Sequence, residues 1–151
     1  MMFSSISDDL PAAQETGHPC NGSTHARPAR AMSWAMELPG TRQAVSVARQ
    51  WAKQIVEGSA HLDTVELIVS ELVTNAVIHS ASGDDGRVRI RLEVAGDGVR
   101  ISVIDEGPAA TPGVRGDADD GGRGLLIVDA LAVDCGVVVT GYARRTWALV
   151  A

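Results

Sequence analysis

The spacing of apolar residues predicts three helices. Between residues 63 and 80, apolar side chains recur on one helical face, and this pattern is typical of a helix buried against a sheet. These side chains are Val65, Ile68, Val69, Leu72 and Ala76. Asp63 and Glu66 have the spacing of an acidic capping box, which predicts where this helix begins. A helix over 41–57 with Thr41 as N-cap and a short apolar helix over 124–132 are also predicted.

Strict alternation of apolar and polar residues predicts strands on both sides of a hairpin turn. Apolar residues occupy every second position over 88–94 and again over 99–103, while Arg and Glu fill the positions between them in the first strand. Ala95-Gly-Asp-Gly98 forms the predicted turn. We also predict a short strand over 34–38 and a second hairpin from 136–140 and 144–150, with Tyr142 and Trp147 packed.

Composition bounds the size and the class of the protein. The chain has 151 residues, of which 45% are hydrophobic, so one domain is expected, over 33–151. Residues 1–32 are rich in Pro, Gly, Ser and Thr without a sustained period, which predicts a disordered or flexible tail. A net charge of -6 and the lack of a basic patch argue against direct binding of nucleic acid.

Cysteine usage and hydropathy indicate a compartment. Cys20 and Cys135 lack the spacing of a metal site, and free thiols in a reducing cytoplasm are expected. No apolar run has the length of a membrane span, and the N-terminus lacks the charged-then-apolar pattern of a signal peptide. We therefore expect a cytoplasmic protein without a membrane partner.

Two polar residues interrupt the apolar helix over 63–80. Glu71 and Asn75 lie one turn apart at the border of its apolar sector, and His79 follows one turn later. One interpretation is a mutually hydrogen-bonded pair on a solvated edge. The other is a cavity lined by a general base and a ligand for a hard cation, because a carboxylate on an apolar helix needs a partner.

Two further features carry candidate chemistry. Asp105 falls at the inward phase at the end of the second hairpin strand, where it either binds a ligand or turns to solvent. Residues 106–122 lack apolar periodicity, which is typical of a lid or of disorder. Gly121-Gly-Arg-Gly124 then opens the third helix, and free amides at a helix N-terminus attract phosphates.

The order of these signals resembles the GHKL ATPase superfamily, and within it the small bacterial anti-sigma-factor serine kinases of the RsbW type. Residues 70–80 resemble the N-box of that family, Val103-Ile-Asp-Glu-Gly-Pro108 its first glycine box, and residues 122–128 its second. Arg145-Thr146-Trp147 resembles the terminal strand that carries a threonine. The resemblance covers residues 34–151.

The resemblance implies roles for particular residues. Glu71 would be the catalytic base, and Asn75 would bind Mg²⁺ through its amide oxygen. Asp105 would accept a hydrogen bond from the adenine amino group, with Gly107 leaving room beside the base and Thr146 supporting its recognition. Residues 108–121 would form the ATP lid. The expected nucleotide-binding residues also include Gly122, Arg123, Gly124 and Leu125, with the backbone amides of Gly122 and Gly124 at the phosphates.

The resemblance also implies a fold and a function. The fold is an α/β (α+β) two-layer sandwich of the Bergerat type, with a mostly antiparallel sheet and helices on one face. The implied function is Mg-ATP-dependent phosphorylation of a Ser or Thr on an anti-sigma-factor antagonist, with a sigma factor as the competing partner. An ATP-binding module without phosphotransfer is the alternative, and a homodimer is open because relatives commonly dimerise. One departure is Arg144 and Arg145, where the family pattern has a glycine near Thr146.

Overall fold

The structure, a computed structural model, describes residues 31–80, 86–107 and 123–151. Residues 1–30 of the predicted tail, the predicted lid over 108–121 and Gly122 lie outside the described residues. The division into tail and domain therefore stays a prediction.

The described strands form one five-stranded sheet in the order β1-β2-β3-β5-β4, and every neighbouring pair is antiparallel. Tight turns join β2 to β3 and β4 to β5, as the two predicted hairpins require. The strands are β1 (Met32–Pro39), β2 (Arg87–Ala95), β3 (Gly98–Asp105), β4 (Asp134–Thr140) and β5 (Ala143–Val150). Strand β3 lies at the centre of the sheet, between β2 and β5.

The helices of the described chain are α1 (Gln43–Ile55), α2 (Leu62–His79) and α3 (Arg123–Leu131). Helix α2 contacts β2, β3 and β5 of the sheet, and α1 and α3 both pack against α2. In the part of the chain that the structure describes, no helix is long and apolar enough to span a membrane. Helix α2 thus occupies the centre of the helical layer.

The core lies between α2 and one face of the sheet. Val65, Ile68 and Val69 of α2 are completely buried, as are the inward residues Ile90 of β2 and Ile101 of β3. Burial of these branched side chains stabilises the two layers against each other. The predicted two-layer α+β sandwich is confirmed.

The predicted helix caps are wrong in detail. The N-cap of α1 is Arg42 instead of Thr41, and that of α2 is His61, in both cases without a side-chain cap hydrogen bond. Helix α2 begins at Leu62, whose side chain packs against the core, so Asp63 lies within the first turn. The negative charge of Asp63 interacts favourably with the helix dipole at the N-terminus of α2, although Asp63 is not the N-cap residue.

The predicted packing of Tyr142 is wrong, whereas Trp147 is packed. Tyr142 is 94% exposed because it lies in the β4–β5 turn, next to Gly141. Trp147 lies on the sheet face away from the helices, since its neighbours on β5 are buried on the helix side. The guanidinium of Arg100 lies 4.4 Å from the centre of the Trp147 ring. A Cβ atom at Gly136 would come within 2.9 Å of that ring.

Candidate functional site

Glu71 and Asn75 lie at the edge of the buried face of α2. Both are partly exposed, whereas Leu72 and Ala76 beside them are 1% exposed. Neither polar side chain makes a hydrogen bond or ion pair with another residue that the structure describes. The interpretation of a mutually hydrogen-bonded pair is therefore wrong, and two polar groups remain available to a ligand.

The carboxylate of Glu71 lies against the beginning of α3. A Cβ atom placed on Gly124, the second residue of α3, would lie 2.6 Å from Oε2 of Glu71. Only a glycine at this position leaves the carboxylate where it is. The unpaired amides of a helix N-terminus also favour a negative charge nearby. The N-box residue and the second glycine box thus meet at one point.

Asp105 is buried at the end of β3, with 3% of the residue exposed. Its Oδ1 accepts a hydrogen bond from the backbone N–H of Gly107 at 2.8 Å. Its Oδ2 accepts hydrogen bonds from Nε and Nη2 of Arg144 at 3.0 Å and 2.8 Å. The expectation of an inward carboxylate is confirmed, and the alternative of a strand end turned to solvent is wrong.

Gly107 fixes the turn that follows Asp105. Its φ of +76° lies in the left-handed region that favours glycine. A Cβ atom here would lie 3.2 Å from the carbonyl oxygen of Tyr142, so the turn packs against the β4–β5 turn. The space beside Gly107 is therefore bounded by backbone on one side.

Thr146 and Arg144 lie on the helix-facing side of β5. Thr146 is a register partner of Val103 on β3, and Arg144 is the register partner of Asp105. Thr146 is 5% exposed. Its hydroxyl makes no hydrogen bond within the described ranges. Among the described residues, no unpaired side-chain oxygen is completely buried, so the oxygen of this hydroxyl is accessible.

Sequence reasoning missed Arg144. The available signal was the alternation along β5, which places Arg144 on the same face as Thr146, Ala148 and Val150. A cation among the apolar residues on the helix-facing side of a strand requires an acidic partner. The only inward acid of the neighbouring strand was Asp105, but the pairing of β3 with β5 was not known from the sequence.

The remaining predicted site residues are placed as follows. Leu125 is 39% exposed in the first turn of α3, and His79 is exposed at the end of α2. Arg123 is described only as the first residue of α3, and Gly122 lies outside the described residues.

The described residues contain no cluster of three or more His, Cys, Asp or Glu that could hold a metal. A magnesium ion would therefore rely on Asn75 and on oxygens of a bound phosphate chain, which suits an ion that keeps few protein ligands. The amide oxygen of Asn75 has the required chemistry as a hard donor.

A surface cavity of about 450 Å³ lies at the other end of the sheet. It is formed by the end of α1, the α1–α2 connection and the β2–β3 turn, and it includes Ser59, His61 and Asp97. None of the residues that the motifs single out lines it. We therefore define the candidate site, the cleft, by the motif residues on α2, on α3 and at the ends of β3 and β5, and α2 contacts the other three elements.

An antiparallel sheet with a layer of helices on one face defines the class of two-layer α+β sandwiches. Residues 35–146 match the family model of the histidine kinase-like ATPase domain, and the chain belongs to this family. The resemblance to the GHKL superfamily is confirmed. No curated protein matches the chain.

The chain also matches twelve chains of solved structures. One contains the RsbU and RsbW domains of Rv1364c from Mycobacterium tuberculosis, with 22% identity and a TM-score of 0.62. The match covers 79% of this chain and 32% of that one, so this chain spans about a third of its relative. At this identity the likeness shows a shared fold.

Proposed function

We propose that the protein is a Mg-ATP-dependent protein kinase that phosphorylates a serine or threonine of an anti-sigma-factor antagonist. The observation that carries the proposal is the pair Glu71 and Asn75. Both side chains lie on the central helix at the cleft, without a partner among the described residues. Membership of the histidine kinase-like ATPase family supports ATP as the nucleotide.

The proposed reaction transfers the γ-phosphoryl group of ATP. The substrate hydroxyl oxygen attacks the γ-phosphorus, the bond from that phosphorus to the bridging oxygen breaks, and ADP leaves with the electron pair. The hydroxyl proton passes to the carboxylate of Glu71. Mg²⁺, when bound, neutralises charge on the phosphate oxygens, and Asn75 is the residue that would hold it.

The nucleotide would lie with its base at the strand ends and its phosphates at α3. Asp105 would accept a hydrogen bond from the adenine amino group, and the free hydroxyl of Thr146 would support the base. The backbone at Gly122 and Gly124 would approach the phosphates, because neither residue carries a side chain. Residues 108–121 would cover the nucleotide as a lid.

Partner switching follows from the resemblance to anti-sigma-factor kinases. The sigma factor and the antagonist would compete for this protein, and phosphorylation of the antagonist would remove it from the competition. Phosphorylation would shift the equilibrium between the two complexes only by the difference in affinity between the unphosphorylated and the phosphorylated antagonist.

Replacement of Glu71 by Gln tests the proposed transfer. Glu71→Gln keeps the shape of the side chain and removes the base, so transfer should fall by about a hundredfold or more. The affinity for Mg-ATP should stay within about threefold, which is under 1 kcal/mol. The measurement is label transfer from γ-labelled ATP to candidate antagonist proteins encoded near this one.

Glu66→Gln is the matched control. Glu66 lies on the same helix, where its Oε1 is 3.8 Å from Nε of Arg49, away from the cleft. This variant should transfer phosphate at the wild-type rate. Transfer by Glu71→Gln at the wild-type rate would contradict the base assignment. Binding of ATP by the wild type without transfer to any antagonist would favour a regulatory ATP-binding module instead.

A further inference from the structure

The guanidinium of Arg144 has hydrogen-bond donors to spare. Arginine carries five N–H donors, of which Arg144 gives one from Nε and one from Nη2 to Oδ2 of Asp105. Its other N–H groups have no acceptor within the described parts of the chain. The side chain of Arg144 is 17% exposed. Among the described residues, no unpaired side-chain nitrogen is completely buried. Nη1 therefore reaches accessible space.

The carboxylate of Asp105 has an acceptor site to spare. A carboxylate offers about four lone-pair sites. Oδ2 receives two hydrogen bonds from Arg144, and Oδ1 receives one from Gly107. One site on Oδ1 is left. An acceptor and a donor therefore lie next to each other at the end of β3 and β5.

The ion pair holds this acceptor and donor in a fixed arrangement. Asp105 and Arg144 are register partners on neighbouring strands, and the carboxylate side chain is 1% exposed. Two donated bonds to one oxygen fix the plane of the guanidinium, and charge-assisted bonds of this kind are strong. The site is thus arranged before a ligand arrives, which favours selective binding.

An adenine ring has the complementary edge. Its 6-amino group is a donor, and the neighbouring N1 is an acceptor, whereas guanine has an acceptor at O6 and a donor at N1. We propose that Arg144 donates a hydrogen bond to N1 of the adenine ring and, together with Asp105, selects adenine over guanine. This inference rests on the proposed function, because it requires the base to lie at Asp105.

A purely structural role for Arg144 makes a different prediction. An ion pair that only ties β3 to β5 would affect the stability of the fold, and its loss would weaken the binding of all nucleotides alike. If Arg144 donates a hydrogen bond to N1, its replacement changes the ratio of the dissociation constants for ATP and for an analogue that lacks N1. This ratio therefore separates the two roles.

The experiment compares ATP with 1-deaza-ATP, in which a C–H group replaces N1 and the 6-amino group is retained. The dissociation constants are measured by calorimetry on the full chain with Mg²⁺. The wild type should bind 1-deaza-ATP about tenfold more weakly than ATP, since a hydrogen bond to a charged group is lost. GTP should bind more weakly still, because the O6 acceptor of guanine would face the acceptor Asp105 and its N1–H donor would face the donor Arg144.

Arg144→Lys tests the residue itself. Lysine keeps a positive charge beside Asp105, so the buried carboxylate retains a partner, but it lacks the fork that reaches N1. This variant should bind ATP and 1-deaza-ATP with equal affinity, within about twofold. Arg145→Lys is the matched control, because Arg145 is exposed on the opposite face of the sheet. It should keep the wild-type ratio.

The outcomes separate this inference from the proposed function. Equal binding of ATP and 1-deaza-ATP by the wild type, or a wild-type ratio in Arg144→Lys, overturns the role of Arg144 and leaves ATP binding in place. Absence of ATP binding by folded wild-type protein overturns both proposals. Selective ATP binding without phosphotransfer supports Arg144 and overturns only the kinase.

Discussion

At the scale of single residues, the cleft contains polar groups in two different states. Asp105 is buried, and three donated hydrogen bonds hold its carboxylate. Glu71 and Asn75 are partly exposed, with no partner in the described parts of the chain. A fixed acceptor suits recognition of a base, whereas free side chains suit groups that move in a reaction. The two ends of the cleft therefore suit different tasks.

Gly124→Ala tests the contact between α3 and Glu71. The new Cβ atom would displace the carboxylate of Glu71, which it would otherwise approach to 2.6 Å. A displacement of this size should reduce phosphotransfer on the order of a hundredfold. The free energy of unfolding should not fall, because alanine is the better helix former and the end of Glu71 can move. Label transfer and urea denaturation measure the two effects.

Gly98→Ala is the control for this replacement. A Cβ atom at Gly98 would meet its nearest neighbour at 3.4 Å, which is ordinary contact, and β3 begins there at the end far from the cleft. Its transfer rate should equal that of the wild type. An unchanged rate in Gly124→Ala as well would contradict the proposed catalytic role of Glu71.

At the scale of elements, two turns approach each other next to Asp105. The turn after β3 contains Gly107, which would contact the carbonyl of Tyr142 if it carried a side chain. Tyr142 belongs to the turn between β4 and β5. Arg144 lies two residues after Tyr142, in β5, so this close approach lies beside the Asp105–Arg144 pair.

Gly107→Ala should destabilise the protein by about 1–3 kcal/mol, because a residue with a side chain is strained at positive φ. Gly96→Ala provides the comparison, since Gly96 has a φ of +56° but nothing within 4 Å of its Cβ position. Gly107→Ala should cost more, because it adds the contact with the Tyr142 carbonyl. Urea denaturation measures both, and an equal or larger cost at Gly96 would contradict the packing of the two turns.

At the scale of the whole molecule, the described helices cover only one face of the sheet. The central strand β3 shows the difference between the faces. Ile101 points toward α2 and is completely buried, whereas Ile104 points to the opposite face and is partly exposed. The helical layer therefore supplies most of the hydrophobic stabilisation and also carries Glu71 and Asn75.

Ile101→Ala should lower the free energy of unfolding by about 2–5 kcal/mol, as expected for a cavity in a closed core. Ile104→Ala, on the same strand, should lower it by only about 1 kcal/mol. Chemical denaturation of both variants measures the difference. Equal losses would contradict the assignment of the core to the face of the sheet that the described helices cover.

Much of this architecture was predictable, because hydrophobic periodicity is a local signal. The alternation through Val88 and Ile101 identified the inward face of the sheet, and the helical spacing around Ile68 identified α2. The inward position of Asp105 followed from the same alternation. The roles of Glu71 and Asn75 rest on the resemblance and stay predictions.

The missed features depend on contacts between distant parts of the chain. The pairing of Arg144 with Asp105 requires β5 to lie beside β3, and no local pattern states which strands are neighbours. The start of α2 at Leu62 depends on packing of that side chain against the core, which outweighed the capping signal at Asp63. The exposure of Tyr142 follows from its position in a turn, where no element covers it.

The most direct measurement is a calorimetric titration of the full chain with ATP in the presence of Mg²⁺. We expect saturable binding to one site, weakened on the order of tenfold, about 1.4 kcal/mol, by Asn75→Ala or by removal of Mg²⁺. Absence of saturable heat with folded wild-type protein would contradict a Mg-ATP site at α2. Affinity that changes neither with Mg²⁺ nor with Asn75 would contradict the proposed role of that residue.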